Sequence, residues 1–441
     1  MNALTPTKSF RVVERLPSNL EAAVVLERDI RVKPERIADY CLTTHEPIYE
    51  DLATLVESMA CFDRLVPRRR SGGWTRKLTI QLPVYEHWKL QSSTAVEALT
   101  EAAWFLTGDQ WSFEFVARQG AAPTRQGHLD LARAPIRHVI PFSDGLDSFA
   151  QARLSVGEHG RDAVMLVRSG LGHDRVLPGL LSLRVPRKFK GARLREVTYR
   201  TRPLVFYTLA AIAAVITGAE AVVVGENGQG AIGPACLPFP DEWWFRSTHP
   251  GFVARWARFL AIVFEQPVRF EQPQLWNTKG EVLSSLLERG LLAGWNKTSS
   301  CSARPFERHG HRGCGACGGC LLRTVSAHTA DIASRDGSKT FDVFASDDTG
   351  HDGAGKEKQM SRSEREVAVR AIAVMAGFAR LAASPGGQAA ITREAQWIDP
   401  SHPELARAKL DRLLRQHRAE WEGFLGDLPN PSWVREIAGQ L

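Results

Sequence analysis

The chain has 441 residues, 44% of them hydrophobic and 24% charged, with 56 lysines and arginines against 49 acidic residues for a formal charge of +7. That length suggests two to four domains at ~100–200 residues each, and the composition excludes wholesale disorder, a collagen repeat and a small disulfide scaffold. The basic excess suits an anionic partner such as a nucleotide, a nucleic acid or an acidic protein, and equally suits a basic protein with none of these.

Residues 1–134 read as an α+β accessory domain. Their first stretch, MNALTPTKSFRVVERLPS, has no apolar run of the kind that directs secretion, and the cysteine total is seven. Both observations point to a reducing cytoplasm rather than a disulfide framework. Leu78, Ile80, Leu82 and Val84 alternate as in a half-buried strand. Ser93–Thr107 predicts a helix with Val96, Leu99, Ala103 and Leu106 on one face and Gly108 as its terminating glycine. Trp111, Phe113 and Phe115 then alternate as a further strand.

Residues 135–330 alternate strands with helices, which predicts a parallel sheet with right-handed crossovers. Val139–Phe142, Ala163–Val167 and Ala221–Val224 are the strands, with a short helix ending near Gly157 after the first. Leu204–Ala219 is almost wholly apolar, but a membrane span needs ~20 such residues, and arginines and a glutamate bound this one. It reads as a buried helix, and no membrane is expected as a partner.

Residues 331–441 predict a helical region after a polar, glycine-rich and flexible connection near 346–360. Ser363 with Glu366 and Ser401 with Glu404 read as capping boxes that open two amphipathic helices.

Two motifs carry chemistry. The first is the strand His138–Phe142 running into Ser143-Asp144-Gly145-Leu146-Asp147-Ser148. A tight turn before a helix points backbone N–H groups at an anion, and the helix dipole favours negative charge there. Ser143 and Ser148 offer hydroxyls, Gly145 backbone freedom, and Asp147 a carboxylate for Mg²⁺. The same spacing also fits an ordinary strand–loop–helix connection capped by Ser148. The second motif is Cys301-x₁₂-Cys314-x₂-Cys317-x₂-Cys320. Four thiolates complete a closed tetrahedral Zn²⁺ shell, which is structural rather than catalytic; His309 or His311 is an alternative ligand and an iron–sulfur cluster a rival.

The turn resembles the SGGxDS motif of the PP-loop ATP pyrophosphatases, with Asp144 standing where that motif has its first glycine. The wording Thr298-Ser-Ser-Cys301, then Cys314-Gly-Ala-Cys317-Gly-Gly-Cys320-Leu-Leu-Arg323, resembles the zinc motif of QueC, the 7-cyano-7-deazaguanine synthase family, itself of PP-loop type. Arg200–Arg202, Gly225-Glu-Asn227 and Thr278-Lys279 resemble its intermediate blocks. The likeness covers roughly 135–330 and implies a PP-loop (HUP-type) α/β parallel sheet with a four-cysteine zinc site, ATP with Mg²⁺, and 7-carboxy-7-deazaguanine or a related deazapurine as substrate.

By the resemblance, Ser143, Asp144, Gly145, Leu146, Asp147, Ser148 and Arg202 bind ATP. Asp147, Lys279 and Asp144 are then the catalytic candidates, with Asp144 repelling phosphate, holding a second metal ion or acting as a base. Trp243, Trp244 and Phe245 are candidates to stack on the base, or are core tryptophans, and His249 is an acid–base candidate near pH 7. The length beyond 135–330 resembles the long QatC-type form found in anti-phage defence operons. That likeness implies an ATP-dependent ligase joining the deazaguanine carboxylate to an amine of a partner protein from the same operon. A 7-cyano-7-deazaguanine synthase using ammonia, and an inactive zinc-stabilised nucleotide or nucleic-acid binding module, remain alternatives.

Overall fold

A four-stranded sheet begins the chain. The computed structural model describes residues 7–14, 24–68, 73–120, 122, 135–170, 177–190, 194–196, 198–237, 242–302, 313–336, 344, 349–351 and 357–440. In chain order the first elements are β1 (Thr7–Val13), β2 (Val24–Val25), β3 (Ile30–Val32), α1 (Glu35–Cys41) and α2 (Pro47–Leu65). Then come β4 (Lys77–Val84), α3 (His87–Leu90), α4 (Ser93–Thr107) and β5 (Gln110–Ala117). The alternating residues of β4 and β5 all point inward and are buried, and Gly108 ends α4 at φ 73° as expected. The sheet runs β2-β1-β4-β5 with every pair parallel. This part is therefore α/β rather than α+β. Alternation reports which face a residue takes, whereas the helical crossovers α2 and α4 set the strand direction.

The second sheet holds β6 (His138–Pro141), β7 (Val164–Ser169), β8 (Leu181–Val185), β10 (Ala221–Val223) and β11 (Phe270–Glu271), while β9 (Arg187–Phe189) lies outside it. Its order is β11-β10-β6-β7-β8, parallel throughout. The helices of this part are α5 (Leu146–His159), α6 (Arg202–Thr217), α7 (Gly228–Ala231), α8 (Gly233–Cys236), α9 (Pro250–Phe264), α10 (Lys279–Glu288) and α11 (Gly318–Thr329). The chain leaves β6 toward β7 on one side and returns to β10 on the other. The crevice between the carboxyl ends of β6 and β10 is thus the switch point where open parallel sheets bind ligands. The apolar stretch forms α6, buried over most of its length and closed by Gly218 at φ 64°. No single helix among the described residues is long and apolar enough to cross a membrane.

The two sheets share one core. Strand β3 pairs antiparallel with β9, Ile30 opposite Phe189, and one apolar cluster runs from Leu52 and Leu82 to Leu209 and Trp256. Buried Arg76 is held by Asp63 and Asp109, and Asp63 also accepts from the Thr201 hydroxyl at 3.0 Å. That network anchors the N-terminal end of α6, from which Arg202 projects.

The C-terminal region forms α12 (Arg362–Arg380), α13 (Pro385–Ile398), α14 (Pro403–Asp427) and α15 (Trp433–Gln440). The capping box of α12 is Ser361 with Glu364, two residues before the expected pair: the S-x-x-E spacing occurs twice there, and the earlier one caps. Helix α14 starts after His402 with no side-chain cap, because Pro403 at its first position sets the start. The connection near 346–360 falls mostly outside the described residues. These helices are built into the α/β part: Ile372, Trp421 and Phe424 pack with Cys317, Cys320 and Leu321, and Leu410 and Leu413 with Ile232 and Leu275.

Candidate functional site

Strand β6 ends at Pro141, and the turn beyond it is stitched by its own serine. The Ser148 hydroxyl donates to the Gly145 carbonyl at 3.0 Å and accepts from the Ser143 N–H at 3.4 Å. Gly145, not Ser148, is the N-cap of α5, and no side chain caps that end. Its first-turn N–H groups are thereby left for another acceptor. Leu146 contributes backbone alone, its side chain being buried in the core. From the other side Ser299 forms a bridge with Gly145, its N–H donating to the Asp144 carbonyl at 3.1 Å.

Asp147 is the centre of the charged cluster. Its Oδ2 accepts from Lys279 Nζ at 2.9 Å and its Oδ1 from Asn227 Nδ2 at 2.7 Å. Lys279 opens α10 and is 4% exposed. Gly225 lets β10 approach, since a Cβ there would stand 2.6 Å from the Asp147 carbonyl oxygen. Burial first, and then the Asp147 charge, push the Glu226 carboxyl up to about 8. At pH 7, below that value, Glu226 is mostly protonated.

These groups open on a cavity of about 820 Å³. Ser143, Gly145, Asp147, Ser148, Arg202 and Lys279 all line it, with Glu226 and Ser299 beside them. An apolar part of its wall comes from α12, through Val374, Met375 and Phe378. Helix α11 presents a second N-terminus without a side-chain cap, and its Gly318 and Gly319 also face the cavity. The sequence did not single out Glu226, Ser299 or the α12 wall. The block Gly225-Glu-Asn227 was the available signal for the first; α12 carries no signal that relates it to a site two hundred residues earlier.

Asp144 is not among the residues lining the cavity. It adopts φ 58°, the left-handed conformation in which a glycine would be at ease, and its carboxylate pairs with the Arg168 guanidinium. Arg168 is buried over the Phe142 ring and donates from Nε to the Ser182 hydroxyl at 2.9 Å. The extra carboxylate, itself exposed, is thus neutralised by a buried guanidinium. Asp144→Asn is expected to cost about 1–2 kcal/mol, because it takes the carboxylate from a buried guanidinium. Adding Arg168→Met should recover most of that loss in a denaturant melt; a double variant no more stable than the single would show that the pair is not what holds the turn.

The four sulfur atoms of Cys301, Cys314, Cys317 and Cys320 lie within 4.8 Å of one another, and those of Cys301 and Cys317 are 3.8 Å apart. Thiolates about 2.3 Å from a tetrahedral Zn²⁺ stand about 3.8 Å apart, so the cluster fits the ion. The backbone N–H groups of Ser302, Cys314 and Ala316 donate to three of the four sulfurs, as the surroundings of a metal thiolate require. His309 and His311 lie outside the described residues. The cluster clamps Ser299–Cys301 against α11, where Gly319 packs so closely that a Cβ would meet the Ser300 carbonyl at 1.9 Å.

Of the expected base-stacking residues only Phe245 lines the cavity. Trp243 packs against Trp104 and Gly108 and donates to the Phe105 carbonyl at 3.3 Å, which docks it on the N-terminal part. Trp244 lies between the guanidinium groups of Arg246 and Arg393. His249 is fully buried: its Nδ1 caps α9 by accepting from the Gly251 N–H, and its Nε2 lies 3.2 Å from Glu394 of α13. Burial lowers its pKa, and it does not line the cavity, although its neighbours Ser247 and Thr248 do. Pro238–Asp241 lie outside the described residues.

No curated protein matches the chain. Residues 180–330 match the family described as queuosine biosynthesis protein QueC, a span that begins after the 143–148 turn and takes in Arg202, Glu226, Lys279 and all four cysteines. In this segment, about a third of the chain, the protein is similar to the QueC family, and its parallel sheet with a cavity at the switch point and a cysteine cluster that fits zinc agree with that likeness.

Proposed function

We propose that the protein is an ATP-dependent C–N ligase that adenylates the carboxylate of 7-carboxy-7-deazaguanine and joins it as an amide to an amine of a partner protein in antiviral defence. The observation that carries this reading is the meeting of the 143–148 turn with the Lys279–Asp147 pair in one cavity of about 820 Å³. A QueC-like domain points to ATP-using, deazaguanine-related chemistry. A carboxylate is a poor acyl donor. Attack of its oxygen on the α-phosphorus of ATP expels pyrophosphate and leaves an acyl adenylate, and an amine then displaces AMP.

The site's work in the first step is to hold charge that accumulates on pyrophosphate. The N–H groups of α5, the Ser143 hydroxyl and the Lys279 ammonium would do so, with Arg202 at the rim. Asp147 keeps a free lone pair on each oxygen, the acceptors Mg²⁺ would take to neutralise phosphate; Glu226 would join them only on giving up its proton to solvent as the cation binds. Phe245 and Phe206, on the less polar side, would bind the flat base. A macromolecular acceptor would give a role to the N-terminal sheet, the part outside the matched span that does not line the cavity.

The test is to incubate the protein with Mg·ATP, 7-carboxy-7-deazaguanine and the protein encoded beside it. Pyrophosphate should be released and the partner should gain the mass of one deazaguanine acyl group. Nitrile formation from ammonium alone, with no change in the partner, would make it a 7-cyano-7-deazaguanine synthase. No pyrophosphate with any carboxylate would leave a binding module.

A further inference from the structure

Two side chains of α14, outside the QueC-matched span, reach the start of α10. The backbone N–H of Lys279 donates to Gln229 Oε1 at 2.8 Å. Gln229 Nε2 is 2.8 Å from His417 Nδ1, and His417 Nε2 is 3.0 Å from the Met375 carbonyl of α12. Lys279, Gln229 and His417 are all buried. An amide nitrogen only donates and a carbonyl only accepts, so Nδ1 must accept and Nε2 must carry the proton. His417 is then neutral, in keeping with burial pushing it down to about 4. Beside it, Glu420 accepts from the hydroxyl of Thr278, the N-cap of α10, and from Gln416 Nε2 at 3.2 Å. Gly280 lies so close beneath that a Cβ there would stand 2.8 Å from Glu420 Oε1.

We propose that the helical C-terminal region is a working part of the nucleotide site: through His417–Gln229 and through Glu420, α14 positions Lys279 so that its ammonium reaches the phosphate turn. His417 and Glu420 are positioning residues that act through Lys279; because Gln229 and His417 also line the cavity, direct contact with the nucleotide is the rival role, and it would leave a further loss in a Lys279→Ala background. A second alternative for His417 is a packing role, tying α14 to α12 through Met375. Positioning and packing use different ring nitrogens, which makes them separable. The inference deepens the function proposed above and rests on it only for the role of Lys279 in holding phosphate.

Asparagine at 417 carries an oxygen at the position of Nδ1 and keeps the acceptor for Gln229. Glutamine reaches to the position of Nε2 and keeps only the bond to Met375. Binding of radiolabelled Mg·ATP to the full chain, by equilibrium dialysis, should weaken about tenfold in His417→Gln and much less in His417→Asn. Gln229→Met, which breaks the relay without altering α14, should match His417→Gln, with folding checked by thermal melts. In a Lys279→Ala background His417→Gln should add no further loss, since residues acting through one group are non-additive. Equal binding by the two 417 variants, unchanged binding in Gln229→Met, or full additivity with Lys279→Ala would overturn the proposal. A wild-type chain that binds no ATP would instead overturn the nucleotide-site reading on which it rests.

Discussion

Lys279→Ala is expected to lower ATP-dependent pyrophosphate release about 10²–10³-fold, the scale of removing one preorganised donor at developing charge. The lysine is buried and its ammonium pairs with Asp147. Polyphosphate entering the cavity would share that ammonium with Asp147, and alanine leaves nothing to replace it. Arginine should not rescue, because a guanidinium is larger and the site encloses the lysine almost completely. Asp147→Asn should fall comparably, since it loses the charge that holds the ammonium in place. Asp147→Asn should also lower Tm, because it leaves the buried ammonium without its partner, so both variants are compared with the wild type at a temperature where circular dichroism shows them folded. Pyrophosphate release within threefold of wild type in both would remove the Lys279–Asp147 pair from the chemistry.

Cys317→Ser is the second change with a large expected effect. Loss of a structural zinc ligand is expected to cost on the order of 5 kcal/mol, and a drop in Tm of about 10 °C or more. The cluster sits inside an apolar core that includes Leu321, Val325, Ile372 and Trp421, so disorder at the metal spreads into α11 and α12. The loss should not stop at stability. Ser299 and Ser300 are held between the cluster and the turn, and both line the cavity. ATP binding should therefore fall together with zinc content as a chelator is titrated, and return on adding zinc. Cys236→Ser, at a buried cysteine far from the cluster in sequence and outside it in space, should keep its zinc. A chain that purifies without zinc, or that keeps ATP affinity after chelation, would contradict this linkage.

Local chemistry was readable along the chain, and contacts between distant segments were not. The turn at 143–148 and the four cysteines are each compact in sequence, so spacing alone brought their members together. Lys279 was found through a resemblance, and the structure supplies what residue type could not, a carboxylate at 2.9 Å. His417 and Gln229 are 188 positions apart, and nothing in either neighbourhood announces the other. The aromatic run at 243–245 left two readings open, because aromatic content reports affinity for apolar surroundings, which a core satisfies as well as a ligand does; the structure packs Trp243 and Trp244 against protein and sets Phe245 on the cavity. The segment Thr248-His249-Pro250 carried a better signal in the proline, which marks a helix start and makes the preceding histidine a cap. Pairing direction in the first sheet was invisible for a similar reason: the pattern along a strand is the same whether its neighbour runs with it or against it.

Strand β3 lies within the first 134 residues, yet its partner β9 comes from beyond them, and the cores on either side are one. The two parts therefore cannot be exchanged or lost as modules in the way that tethered domains are. A gene cut between the parts would encode two fragments that each expose an unfinished interior.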